Sequence, residues 1–295
     1  MQRAGIRTLG SPIVGNTAVM DRAALIARIA RTWALDAAAH ARVLASQDPS
    51  WGTEVFELAG GHAVLCGHGL YVNRALAMGL DGPVTTDDFD RLEARSAVVG
   101  VAPSIDVVPT AERSLSELAG ARGYGIQRFL TTHIRTLDDA TGVAPGEATV
   151  VIERADGDQL GVWKDVAAAG FGADEGDSRR ASDAFADAAA VVDGPGFLLA
   201  RDASDGRPLG CASVTFRDGL ATLGGMTTMP NERGRGVQAA LIDHRLFLAR
   251  EAGCDLAASS TVPANASERN LARAGFRPLY ETVTLAREPR ASGSS

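Results

Sequence analysis

Arg233, Gly234, Arg235 and Gly236 alternate a fork-shaped cation with a bare backbone position in "TTMPNERGRGVQAALIDHRL" (227–246), directly ahead of a run with helical periodicity. The chemistry suited to that set is capture of a bulky polyanion. A helix start exposes four backbone N–H groups without intrahelical partners and carries the positive end of the dipole. Glycine removes the side chains that would hold a diphosphate away from those groups, and arginine adds charge and paired donors. Within the helix, Val237, Leu241, His244 and Leu248 fall on one face, so His244 reads as a packed residue rather than a catalyst. A Walker-type nucleotide site is excluded, because no GxxxxGK[ST] string exists and the only lysine, Lys164, lies elsewhere.

Such a turn needs a strand to deliver the chain and a helix to receive it. Apolar spacing predicts a strand over 220–229 and a helix over 235–251. Ahead of them the same reading gives a strand at 149–154, two helices between 158 and 192, and strands at 196–202 and 209–216. Behind them come another strand, a short helix over 266–274 and a closing strand at 277–286. Asn265 with Glu268 forms a capping-box pattern for the short helix, and Gly275 supplies its stop. The first half follows a similar order. A helix over 20–45 precedes strands at 53–58, 61–66 and 69–79. The turn "DGPVTTDDFDRLEA" leads into a helix capped by Thr85 with Asp88, then a strand, a helix and a strand ending near Leu137. Gly69-Leu70 recurs as Gly219-Leu220, and Gly123-Tyr124 as Gly275-Phe276, so an internal duplication is the simplest reading. The aperiodic stretch "DDATGVAPGEA" (138–148) marks the boundary.

Composition limits what the turn can serve. In 295 residues, 45% are hydrophobic and 22% charged, enough for two packed domains and too apolar for wholesale disorder. A formal net charge of -7 excludes the broad basic field that nucleic acid or an anionic membrane requires. Cys66, Cys211 and Cys254 are far apart and in no CxxC pattern, which suggests neither a disulfide framework nor a zinc site. No apolar run has spanning length and "MQRAGIRTLG" lacks a signal-peptide core, so a cytoplasmic location is expected.

"MPNERGRGVQAAL" resembles the acetyl-CoA signature of the GCN5-related N-acetyltransferases: arginine or glutamine, two variable residues, glycine, one variable residue, then glycine or alanine. Arg233 and Gly236 fit, and Gln238 departs from the last glycine. "NASERNLARAGFRPLYETVTL" supplies the second match, in which the resemblance implies that Asn270 faces the pantetheine arm. Many members carry a tyrosine general acid where this chain has Leu271. The resemblance covers residues 147–288.

The resemblance implies an α/β fold of tandem domains, each a mixed, largely antiparallel sheet flanked by helices. Residues 1–140 would be a degenerate copy without a CoA signature, 147–290 the acetyl-CoA-binding domain, and 291–295 a disordered tail. The equivalent first-half loop, "DGPVTTDD", places Asp81, Asp87 and Asp88 where a diphosphate would be repelled. The implied activity is direct transfer from the cosubstrate acetyl-CoA to the amine of a small molecule or an amino terminus. Thr228, Met229, Arg233, Gly234, Arg235, Gly236, Val237, Gln238 and Asn270 are the implied CoA contacts. The backbone near Thr228 and Met229 would donate to the developing oxyanion, and the pantetheine would run like an extra strand into a splayed gap.

A proton acceptor is harder to find. The strand "LATLGGMTTM" holds no carboxylate, and Glu281, Asp174, Glu175 and Asp177 are candidates by type only. Tyr280 is the candidate replacement for the missing acid, with a place in the core as its other reading. Leu271 and the missing strand carboxylate also motivate an alternative, a non-catalytic module that binds or senses acyl-CoA. Neither nucleic acid nor membrane is an expected partner.

Overall fold

Alanines among the inward positions let the first helix lie close against a sheet. In this α1 (Arg22–Gln47), Ile26, Ile29, Ala30, Ala34, Ala38 and Ala41 are buried in one stripe at helical spacing. The computed structural model describes residues 21–67, 70, 72–137, 149–173, 175–193 and 196–287, so the expected linker at 138–148 and the tail at 291–295 lie outside the described residues.

After α1 come β1 (Glu54–Leu58), β2 (Gly61–Leu65), β3 (Arg74–Leu76), α2 (Thr86–Val99), β4 (Ser104–Val107), α3 (Arg113–Ala121) and β5 (Gly125–Thr136). The second half runs β6 (Val150–Arg154), α4 (Gln159–Phe171), α5 (Gly176–Asp193), β7 (Phe197–Asp202), β8 (Pro208–Arg217), β9 (Leu220–Thr228), α6 (Val237–Glu251), β10 (Leu256–Thr261), α7 (Ala266–Arg273) and β11 (Arg277–Ala286). The expected order is thus observed. The third strand is shorter than the 69–79 expected, because Asn73 accepts from the Cys66 N–H and donates to Gly67 and Leu70 carbonyls, turning the chain before it can pair. The Thr85 capping box forms as read: Asp88 N–H donates to Thr85 Oγ1 at 3.3 Å, and Thr85 N–H to Asp88 Oδ2 at 2.8 Å.

All described strands join one eleven-stranded mixed sheet, ordered β1-β2-β3-β4-β11-β5-β10-β9-β8-β7-β6. Its ladders are antiparallel except β3–β4 and β9–β10. The closing strands are interlocked: β5 of the first half lies between β10 and β11, while β11 lies between β4 and β5. Helices α1, α4 and α5 cover one face and α2, α3, α6 and α7 the other. Leu76, Ala258 and Tyr280 therefore pack toward α1, whereas neighbouring Ala75 and Ala257 enter the opposite cores, as strand alternation requires.

Helix α1 also straps the second half. Arg28 pairs with Asp255 at 2.6 Å and donates to the Asp218 carbonyl at 2.7 Å, Trp33 Nε1 donates to Thr222 Oγ1 at 3.0 Å, and Asp36 pairs with Arg217 at 2.5 Å. On the same face Gly170 lets α4 approach β9, since a Cβ there would fall 2.2 Å from Thr227 Oγ1.

Candidate functional site

The sheet opens at its parallel step in the second half. Pairing between β9 and β10 is confined to Leu220–Thr222 with Leu256–Ala258; beyond it, β9 follows β8 to Thr228 and β10 follows β5 to Thr261. Ser259 Oγ donates to the Leu223 carbonyl at 2.8 Å where the fork begins. Met229 N–H donates to Leu209 O at 2.9 Å, so of the two expected backbone donors Met229 is already committed. Alternation along the strand then turns the Thr228 N–H to the opposite edge, into the fork. Thr228 Oγ1 and Thr261 Oγ1, at the far ends of the splayed strands, are buried without hydrogen-bond partners among the described residues. Buried hydroxyls seldom remain so, and a ligand lying in the fork is one natural source of partners.

A bulge stands beside the fork. Cys211 pairs with Thr227 but Ser213 with Gly224, so β9 carries one extra residue, and Gly225 takes φ 52° there. The bulge is held from the α6 side by Arg245, which is fully buried. Its guanidinium donates to the Ser213 and Gly224 carbonyls at 3.2 Å each, and its Nε to the Leu241 carbonyl at 3.0 Å. Burial pushes its pKa down to about 9, which leaves it charged at neutral pH. Sequence periodicity missed this residue, because a lone arginine on an apolar helix face carries no mark of the strand irregularity it fills.

The arginine and glycine turn connects β9 to α6 through a short 3-10 segment, Pro230–Glu232. Gly234 and Gly236 adopt φ 80° and 77°, the left-handed conformation, and a Cβ at either would meet none of the described residues within 4 Å. Gly236 caps α6 with no side-chain hydrogen bond, leaving the helix start bare beneath the turn. Here α6 differs from α2, whose start is closed by its own capping box and flanked by Asp87 and Asp88. The arginines diverge. Arg235 pairs with Asp202 and Glu232 at 2.6 Å each, and Arg207 joins the same carboxylates at 3.0 and 3.2 Å. Hydrogen bonds from Ser204, then Arg235, hold the Asp202 carboxyl well below the usual carboxylate range. Arg233 is exposed and has no ion pair among the described residues. Val237 is buried under the turn, and the half-buried Gln238 accepts a hydrogen bond from the Asn270 amide, bridging α6 to α7; Arg273 fixes Asn270 from its other side at 2.9 Å.

Behind the fork, on the α1 face, lies a cavity of about 660 Å³. Its walls come from both halves: Trp33 from α1, Leu130 from β5, Trp163 and Phe171 from α4, Phe185 from α5 and Phe197 from β7. Ser213, Gly224 and Gly225 of the bulge, with Ser260 and Tyr280, form its floor. Tyr280 is buried and its hydroxyl has no hydrogen-bond partner among the described residues; burial pushes the phenol up to about 12, against the pull of the nearby Thr132 hydroxyl. Leu271, in place of the usual acid, belongs to the apolar core under α6. Glu281, Glu175 and Asp177 are exposed and line no part of the cavity, and Asp174 lies outside the described residues. The carboxylates that do line it, Asp36 and Asp106, come from the first half and were not singled out by sequence. Asp36 pairs with Arg217, and Asp106 with Arg74 at 2.7 Å. No group of metal-ligating residues and no helix long and apolar enough to cross a membrane is found among the described residues.

Residues 163–276 match the model of the acetyltransferase (GNAT) family. A GCN5-related N-acetyltransferase from Kribbella flavida aligns over 84% of this chain and 95% of its own, with a TM-score of 0.60 and 18% identity. A tandem GNAT protein from the clavulanic acid biosynthesis pathway aligns over 75% of this chain and 76% of its own, with a TM-score of 0.55 and 16% identity. A GCN5-related N-acetyltransferase from Sphaerobacter thermophilus aligns with a TM-score of 0.51 and 19% identity over 63% of this chain, which spans about three fifths (59%) of that protein. At these identities the likeness is one of fold, and the tandem neighbour fits a tandem arrangement here. No curated protein matches the chain.

Proposed function

We propose that this protein is an acetyl-CoA-dependent N-acetyltransferase acting on a small-molecule amine; residues 163–276 match the model of the GNAT family, whose fold supports acyl transfer. The observation that carries the proposal is the adjoining pair of spaces, a fork with a bare helix start on one side and an apolar cavity on the other, meeting at the bulge of β9. In this reading Gly234, Gly236 and the N–H groups at Val237 and Gln238 receive the diphosphate, with the exposed Arg233 as its cation, and Arg235 holds the turn through Asp202 and Glu232. Thr228 hydrogen-bonds the pantetheine arm through its inward N–H, and the Gln238–Asn270 bridge closes over that arm. Tyr280 supplies a hydroxyl at the cavity floor. Acetyl-CoA itself supplies the activated acyl group, and the chain supplies position, donors and exclusion of water.

Two domains, with the boundary in 138–148, remain the proposed organisation, and the first half's contribution to the cavity gives it a part in acceptor binding. A cytoplasmic location is proposed with it. The buried Leu271 favours one further reading, a module that binds acyl-CoA without turning it over. Thiol release from acetyl-CoA across an amine panel separates the two: release that depends on an amine supports transfer, and binding without release supports the module.

A further inference from the structure

The cavity specifies its guest by what it withholds. Its rings are fixed with their polar edges spent elsewhere: Trp33 Nε1 donates to Thr222, and Trp163 Nε1 to the Ala212 carbonyl at 3.0 Å. Trp163 meets Phe197 edge-on at 4.6 Å between centroids, and His40 meets Phe185 likewise at 5.3 Å. What remains for a guest is mostly ring face and alanine, in a volume suited to a body of drug-like size.

The charged groups of the lining are already balanced. Among the described residues its only carboxylates are Asp36 and Asp106. Arg217 holds the first; Arg74, together with a 2.6 Å hydrogen bond from Thr284, holds the second. An ammonium entering this space would shed its water without meeting an uncommitted anion, which is costly. A neutral amine meets hydroxyls instead, at Ser213, Ser260 and Tyr280.

Resting on the acetyl-transfer reading above, we propose that the acceptor is a weakly basic amine carried on an aromatic or comparably apolar body, taken up as the neutral amine. The nitrogen lone pair forms the C–N bond to the acetyl carbon and the C–S bond breaks. The sulfur leaves with its electron pair, and the N–H proton ends on sulfur, giving amide and thiol. An amine that is neutral on arrival needs no carboxylate to deprotonate it first, in keeping with a strand β9 that has none.

The test compares anilines bearing short alkyl groups with phenylalkylamines of the same size and with spermidine, in the full chain. Thiol release at pH 7 is expected to favour the anilines by at least about 10-fold in kcat/KM, with little change up to pH 9. The phenylalkylamines should gain roughly 100-fold over that range, as their neutral fraction rises while the pH approaches a conjugate-acid pKa near that of lysine. Preference for the alkylamines or spermidine at pH 7 would overturn the proposal. A second readout needs no turnover: calorimetric titration of the CoA-loaded protein with 4-ethylaniline and with phenethylamine at pH 7. Tighter binding of the aniline with no thiol release from any amine would sustain the pocket assignment and sink the transferase reading. Tighter binding of phenethylamine, or release confined to polar amines, would sink the pocket assignment and leave the transferase reading intact.

Discussion

Tyr280 of β11 stands directly opposite Thr132 of β5, whose hydroxyl lies 3.0 Å from that of Ser260 on β10. Three strands from two halves thus share one row of hydroxyls, leading from the cavity floor toward the fork. The row exists only because each half's closing strand is lodged in the other half's sheet.

That interlock sets the first prediction. Residues 149–287 expressed alone would leave facing edges of β10 and β11 unpaired where β5 now lies, and would lose Leu25, Ile29 and Ala30 from the shared core. The fragment should be insoluble or lack cooperative unfolding, and co-expression with residues 21–137 should rescue it. A monomeric fragment that unfolds cooperatively and binds CoA like the full chain would refute the dependence.

Gly236→Asp is expected to weaken acetyl-CoA binding by at least about 100-fold, roughly 3 kcal/mol, through bulk and like charge at the helix start. A Cβ at Gly236 meets no described neighbour, but its φ of 77° strains any side chain by about 1–2 kcal/mol, so circular dichroism of the variant accompanies the titration. Calorimetry on the parent chain should give one CoA per chain, because the start of α2 is already capped and carries Asp87 and Asp88. Unchanged affinity in the variant, or two sites in the parent, would count against the assignment.

Tyr280→Phe should lower turnover by about 10² or more while CoA affinity stays nearly intact, if the phenol protonates the departing sulfur. A pKa near 12 keeps the proton in place throughout the working range, at some loss of driving force. The same shift bears on stability. The folded phenol holds its proton above the pH of about 10 at which an unfolded tyrosine releases it, so its contribution is complete below pH 10 and is lost as pH rises toward 12. Urea titrations at pH 9 and 11 should show a smaller loss in the variant than in the parent. Turnover within twofold of the parent would return Tyr280 to the core.

Arg245→Met should cost about 2–4 kcal/mol, since the Ser213, Gly224 and Leu241 carbonyls lose their donor. Chemical denaturation measures it, and a loss below about 1 kcal/mol would mean that the bulge closes without its arginine.

Much of this molecule was settled locally. Thr85 with Asp88 fixed one helix start reciprocally and Asn265 another through the Glu268 N–H alone, the Glu268 carboxylate turning to the Ala264 N–H, because a cap depends on residues three or four apart. The alternation of Arg233 to Gly236 fixed a bare helix start for the same reason, glycine being the residue that enters the left-handed region without strain. Tertiary structure decided what neighbours in space, rather than in sequence, supply. It lodged β5 and β11 in each other's halves, turned Arg235 away to Asp202, tied Asn270 to Gln238 and buried Arg245 behind a bulge that periodicity does not mark. It also brought Asp36 and Asp106, 70 positions apart, to one cavity and gave each a cation. Helical and strand periods act over a few residues, whereas charge balance in a buried space depends on every element that closes it.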